Sequence, residues 1–154
     1  MGNELGFLDV IPAQLVDPEG SEFYSRYIQA IAMKQEKRFN EVESLLMPSV
    51  EPPSIYHGHY RELFVAFRHR IKALEKNSEH QAIVALLLKM IRLNNEMLQK
   101  MSDHWSPIHG VYRPPSYFTN YSKINNTDLK KLVKHATALN DVDAVSIAEN
   151  YHSK

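Results

Sequence analysis

The chain of 154 residues contains no cysteine. That absence excludes disulfides, thiolate metal sites and cysteine nucleophiles. Long apolar runs are also missing. The longest, Ala82 to Leu88, is far short of the roughly 18 residues a membrane span needs. The first residues, MGNELGFLDVIP, have no basic region followed by an apolar one, so no secretory signal is expected. Gly6 stands where a myristoylation signal has Ser or Thr. No segment alternates apolar and polar residues for long enough to predict a strand. A P-loop, a GxGxxG turn, a GxSxG elbow and an HExxH helix are absent as well. These absences lead us to expect a cytoplasmic, non-enzymatic, all-α protein that needs no cofactor.

What is present is an ordinary globular composition, 44% apolar and 23% charged, in a length that suits one domain. The formal net charge of zero hides an asymmetry. Residues 1–53 carry five more acids than bases, and residues 54–154 carry five more bases than acids. Such a split predicts either charge pairing within the fold or a basic face offered to an acidic partner.

Hydrophobic spacing predicts about six helices arranged as antiparallel hairpins. Residues 1–20, with Pro12, Pro18 and three glycines, show no helical period. Their Phe7, Leu8, Val10, Ile11, Leu15 and Val16 predict an extended arm laid on the protein or on a neighbouring subunit. Ser21 is the expected N-cap of a first helix to about residue 37, with an apolar stripe of Tyr24, Tyr27, Ile28 and Ile31. Asn40 and Glu43 suggest a capping box for a short helix ending at Pro48. MPSVEPPS then breaks the chain.

Ser54 opens the most strongly patterned helix. Its Tyr60, Leu63, Phe64, Phe67, Ile71 and Leu74 form a seam that must be buried. Ser78 and Gln81 suggest a further cap. The helix that follows, with AIVALLLKMIRL, is apolar nearly all round, as expected in the middle of a bundle. Together these make a four-helix core over 21–102. A Pro- and aromatic-rich loop is expected at 103–118. A C-terminal hairpin over 119–154 completes the domain, with helices over 128–139 and 142–151 separated by Asn140 and Asp141.

Three stretches resemble the second half of a helix-turn-helix repeat: KRFNEVESLL around Val42, NSEHQAIVALLLKMIRLNNE around Ala82, and LNDVDAVSIAENY around Val145. The middle one is similar to the second helix of a tetratricopeptide repeat, with Ala82 at the small position and Leu86 at the large one. The spacings of 40 and 63 residues depart from that family's period, and the aromatic and glycine signature of its first helix is missing. The resemblance implies stacked helical hairpins and a surface that binds a peptide or protein.

Three groups of residues are candidates for a site. The loop HWSPIHGVYRPPSYF offers Trp105, His109, Tyr112, Arg113, Tyr117 and Phe118 for partner binding. Trp, Tyr and Arg dominate binding hot spots, and three prolines stiffen the segment. A lid over the open end of the bundle is the structural alternative for the same residues. A basic face formed by Arg61, Arg68, Lys72 and Lys76, with Lys130, Lys131 and Lys134, suits phosphate and makes nucleic acid the second partner class. The bland reading of that face is solvation or pairing with the acidic first fifty residues. Finally, His57, His59 and Glu62 would hold zinc only if His104 or His109 swung in beside them. Nothing in the spacing requires that convergence, so no metal site is expected. The leading expectation is an adaptor, regulator or assembly protein that binds another protein or itself.

Overall fold

The computed structural model describes residues 18–108 and 115–151, and every regular element among them is helical. Six α-helices follow one another: α1 Pro18–Gln35, α2 Phe39–Leu46, α3 His57–Glu75, α4 His80–Ile108, α5 Asn126–Ala138 and α6 Val142–Asn150. Two 3-10 segments, Met47–Ser49 and Pro115–Tyr121, lie between them. No helix among the described residues is long and apolar enough to cross a membrane.

The same turn joins α1 to α2, α3 to α4 and α5 to α6. Lys37, Ser78 and Asn140 each adopt a left-handed backbone, with φ of 61°, 52° and 55°. At each turn the amide of the left-handed residue donates to the carbonyl three back, and the next amide to the carbonyl five back. The pairs are Lys37 to Lys34 with Arg38 to Met33, Ser78 to Glu75 with Glu79 to Leu74, and Asn140 to Thr137 with Asp141 to Ala136. This is the Schellman closure of a helix C-terminus. The new helix starts immediately afterwards, so each closure reverses the chain into an antiparallel hairpin.

Helix-to-helix contacts run in chain order, each helix lying against the next, and α1 also touches α3. The Tyr60–Ile71 seam is buried, with Phe64 and Phe67 at 0% and 1% exposure. It packs on α4, where Ile83, Leu87, Met90 and Leu93 are equally buried. Full burial of such a side chain contributes about 1.5–3 kcal/mol, so this seam contributes substantially to the single core.

Polar ties fix the hairpins against each other. Arg68 of α3 holds Asp128 of α5 with two parallel bonds of 2.9 and 2.7 Å. Asp128 and Asn125 close a capping box at the start of α5. Glu75 takes Lys131 at 2.9 Å and His135 at 3.0 Å, and His135 in turn meets His80 at 2.8 Å. Asn94 of α4 is wholly buried, donates to Ser122 and Tyr151, and accepts from the Lys123 amide.

Several local expectations are corrected. Helix α1 begins at Pro18 rather than after Ser21, because a proline suits the first helical turn; the rest of the proposed arm, 1–17, lies outside the described residues. Its buried side is Phe23 and Ala30, leaving Tyr24 and Ile28 exposed at 43% and 41%. Asn40 is inside α2, whose N-cap is Arg38, and Ser78 ends α3 rather than capping α4. In both cases the turn closes one hairpin arm so abruptly that the next helix begins within two residues of it. Helix α3 starts at His57, three residues past Ser54; the Ser54 hydroxyl instead donates to the Ser49 carbonyl at 2.6 Å.

The loop expected over 103–118 is shorter than the sequence suggested. Helix α4 continues through Asp103, His104, Trp105, Ser106 and Pro107 to Ile108. A proline in a final turn forfeits only one backbone bond, so the helix survives it. Pro115–Tyr121 is itself 3-10 helix.

Candidate functional site

A cleft of about 490 Å³ opens where the middle of α1 and the first turn of α3 meet the last third of α4. Its lining is Tyr24 and Tyr27 from α1, Ile55 and Tyr56 from the segment before α3, and His57, Gly58 and His59 from the first turn of α3. Met101 of α4 and Tyr121 at the end of the second 3-10 segment complete it. Four tyrosine rings and two imidazoles thus share one concave surface, within the volume range of small-molecule and peptide sites.

The floor of the cleft is tied down by partners outside it. His59 is buried and its Nε2–H donates to the Phe23 carbonyl at 2.6 Å, which fixes the tautomer. Burial pushes the His59 pKa below its ordinary value, against the opposing pull of that bond, and nearby Arg26 lowers it further. Tyr56 stacks on Phe23 with ring centres 4.4 Å apart. Tyr27 lies against His59 and receives a 2.5 Å bond from Arg61 through its hydroxyl. Gly58 permits this approach, since a Cβ there would stand 3.2 Å from Tyr27 Cε1.

The rim, by contrast, is open. Tyr24 and Tyr121 are 43% and 38% exposed, and Ile28 continues the apolar surface one turn along α1. His57 lies tilted beside Tyr121, ring centres 5.5 Å apart, and its Nδ1 has no hydrogen-bond partner among the described residues. Burial lowers the His57 pKa, and Lys123 and Arg61 lower it further.

The aromatic loop candidates divide. Phe118 is 3% exposed and joins the hydrophobic core, so it is a packing residue and not a contact for partners. Trp105 falls in the last turns of α4 and Tyr117 in the second 3-10 segment, though their side chains are outside the described ones. His109, Tyr112 and Arg113 lie outside the described residues. Tyr121 and Met101, which flank that loop on its two sides, reach the cleft.

The seven basic candidates are only partly brought together. Arg68, Lys72 and Lys131 line a smaller cleft of about 240 Å³ between α3 and the start of α5. Two of these three are already engaged, Arg68 by Asp128 and Lys131 by Glu75. Arg61 stands apart, bonded to Glu62 and Tyr27. Lys76, Lys130 and Lys134 are exposed. Of the α3 basic face, Arg61, Lys72 and Lys76 are exposed and only Arg68 is partly covered, through its pairing with Asp128 of α5. Charge pairing between the acidic and basic parts of the chain does occur, as Arg70–Glu43 and Arg92–Glu51.

Among the described residues, which do not include His109, the histidine–carboxylate cluster does not assemble. His59 is spent on Phe23, and Glu62 is held between Lys34 at 2.5 Å and Arg61 at 3.0 Å. His104 is exposed, near the end of α4. No group of three or more metal-ligating side chains is found among the described residues.

Sequence reasoning missed Tyr24, Tyr56 and Tyr121 as site residues. One signal was available in α1, where Phe23, Tyr24, Tyr27, Ile28 and Ile31 are too many large apolar groups for one stripe. A helix so patterned offers a second face.

The fold and site define an all-α protein of three helical hairpins with an aromatic cleft at one end. No family model matches the chain, nor does any curated protein or solved structure.

Proposed function

We propose that this is a non-enzymatic, cytoplasmic protein-interaction module, an adaptor, regulator or assembly component, and that the aromatic cleft is where its partner docks. The observation that carries this reading is the pairing of a fixed floor with an open tyrosine rim. Tyrosine gives large contact area at low entropic cost, and clustered aromatic groups with nearby Arg are the usual anchors of binding energy. The stacked-hairpin architecture fits the same role, since the tetratricopeptide-like stretches imply a peptide-binding surface. Partners of a different kind would require a catalytic constellation or a continuous cationic face, and the engaged state of Arg61, Arg68 and Lys131 weakens the second.

The test is native capture with the full chain, compared with the double variant Tyr24→Ser/Tyr121→Ser. Both residues are exposed, so the variant is expected to keep its helical circular dichroism. A stable complex or oligomer that disappears in the variant supports the proposal. A protein that stays monomeric without partners, or a complex indifferent to both changes, overturns it.

A further inference from the structure

A carboxylate, two imidazoles and an ammonium join the third hairpin to the second in one chain of bonds. Glu75 is the last residue of α3, His80 the first of α4, and Lys131 and His135 stand about one turn apart on α5. His135 is 2% exposed and both of its ring nitrogens are engaged, Nε2 with Glu75 Oε2 at 3.0 Å and Nδ1 with His80 Nδ1 at 2.8 Å. Burial alone would raise the Glu75 carboxyl, but the bonds from His135 and Lys131 hold it below its ordinary value. At neutral pH Glu75 is therefore a carboxylate that can only accept, which places a proton on His135 Nε2.

The bond between the two imidazoles then holds a single proton, since an Nδ1–Nδ1 contact of 2.8 Å has room for one. With both rings neutral, His80 Nδ1–H donates to the bare His135 Nδ1, and His80 Nε2 carries no proton. A first added proton goes to His80 Nε2 and leaves this bond intact, whichever Nδ1 then owns the shared hydrogen. A second forces hydrogens onto both Nδ1 atoms, which face each other. It also puts like charges on rings whose centres are 5.1 Å apart, while the charge of Glu75 is already cancelled by Lys131. The rings thus titrate as a coupled pair. No further acid answers that second charge. Lys76 and Glu79 beside the turn and Lys134 beside His135 are exposed, as are Asp143 and Glu149 on α6, and Asp141 caps its own helix. Among the described residues none of these is bonded to either ring.

We propose that the His80–His135 pair is a proton-counting latch, which holds the α5–α6 hairpin on the α3–α4 turn with no added proton or with one, and releases it with two. The start of α5 stays pinned through Arg68 and Asp128, so release is a swing about that end. It bares Leu132 and Ala136, both buried in the closed form. Acidification then gives the protein an apolar surface that it hides at neutral pH. The latch is independent of what the aromatic cleft binds.

Nitrogen-15 NMR of the full chain reads the latch directly, from about pH 8 to about pH 5. The expected neutral state has opposite tautomers, His80 protonated at Nδ1 and His135 at Nε2. Once both rings carry two protons, amide exchange in α5 and α6, corrected for its intrinsic pH dependence, should quicken about tenfold or more relative to the α3 seam. The variant His80→Gln keeps a donor for His135 and removes one titrating ring, so the relative quickening should vanish. Identical tautomers at neutral pH overturn the proposal, and so do two doubly protonated rings with α5 still fully protected. Quickening of α3 in step with α5 also overturns it, because the whole domain is then unfolding. So does an undiminished response in His80→Gln, which assigns the opening to another group.

Discussion

Arg68 and Asp128 are sixty residues apart in sequence and face each other through two parallel hydrogen bonds, Nε to Oδ1 at 2.9 Å and Nη2 to Oδ2 at 2.7 Å. The guanidinium also donates to the Lys123 carbonyl at 2.6 Å. Asp128 does further work at the same time, accepting from the Asn125 amide at 3.0 Å to close the cap of α5. One carboxylate thus sets both where α5 begins and how it sits on α3. The planar fork of arginine suits this bidentate geometry, whereas lysine offers a single point of charge.

Removing Arg68 leaves Asp128 buried without its counter-charge. Arg68→Ala is expected to cost about 2–4 kcal/mol, below the range for a wholly buried pair because the arginine is partly exposed. Arg68→Lys should recover less than half of that loss. Urea denaturation of the single variants, Asp128→Ala and the double variant gives the coupling, expected at about 1–3 kcal/mol. A coupling near zero would mean the pair is ornamental.

Asn94 is the second tie whose loss is predictable. Its Nδ2 donates to Tyr151 at 2.8 Å and Ser122 at 3.1 Å, and its Oδ1 accepts from the Lys123 amide at 2.8 Å. Asn94→Ala leaves that partly buried amide without its acceptor and removes two further bonds, and should cost about 2–3 kcal/mol. Tyr151→Phe removes one hydroxyl and should cost about 1 kcal/mol. Thermal melts of the two variants check the order; equal losses would contradict this account.

The seam from Tyr60 to Ile71 was readable because its members share one buried face, and a helix with one buried face displays its period. The Asn140–Asp141 junction was readable too, since Asn tolerates a left-handed backbone and Asp141 caps α6 through the Ala144 amide. Lys37 and Ser78 gave no such warning, because neither residue type advertises the left-handed region. Arg68 was misjudged for a different reason. A helical wheel separates apolar from charged positions, but it cannot tell solvent from a neighbouring helix that presents an aspartate. The cleft was the least legible feature. It draws on Tyr24, Tyr56, Met101 and Tyr121, almost a hundred residues of sequence, and only tertiary packing brings them together.

The three hairpin turns carry a common strain that can be relieved. A left-handed backbone costs a residue with a Cβ about 1–2 kcal/mol, while Gly adopts it freely but loses more entropy on folding. Lys37→Gly and Ser78→Gly are each expected to stabilise the protein by about 0.5–1 kcal/mol. Asn140→Gly should change little, because Asn already tolerates this conformation. Guanidinium midpoints measured with unchanged slope would register the difference. A loss of stability in Lys37→Gly would show that its side chain or the turn does something not captured by the backbone.

Acid sensitivity follows from two buried groups whose pKa values are lowered. For Glu62, burial alone would raise the carboxyl, but the bonds from Lys34 and Arg61 outweigh it and hold the pKa below its ordinary value. Its contribution is therefore present above the unfolded value, near 4.3, and is lost as pH falls through the lower folded value. For His59, burial lowers the pKa, so the folded state holds the neutral ring. That contribution is full above the unfolded value, near 6.5, and declines as pH drops below it, because the unfolded chain takes up the proton first. Stability should then fall in two stages, one beginning near pH 6.5 and one below about pH 4.5. His59→Gln, which retains a donor for the Phe23 carbonyl, should flatten the first stage, and Glu62→Gln the second. Denaturation midpoints taken across pH 3–8 separate them. A first stage that is unchanged in His59→Gln would assign it to another histidine, His57 being the other whose burial lowers its pKa.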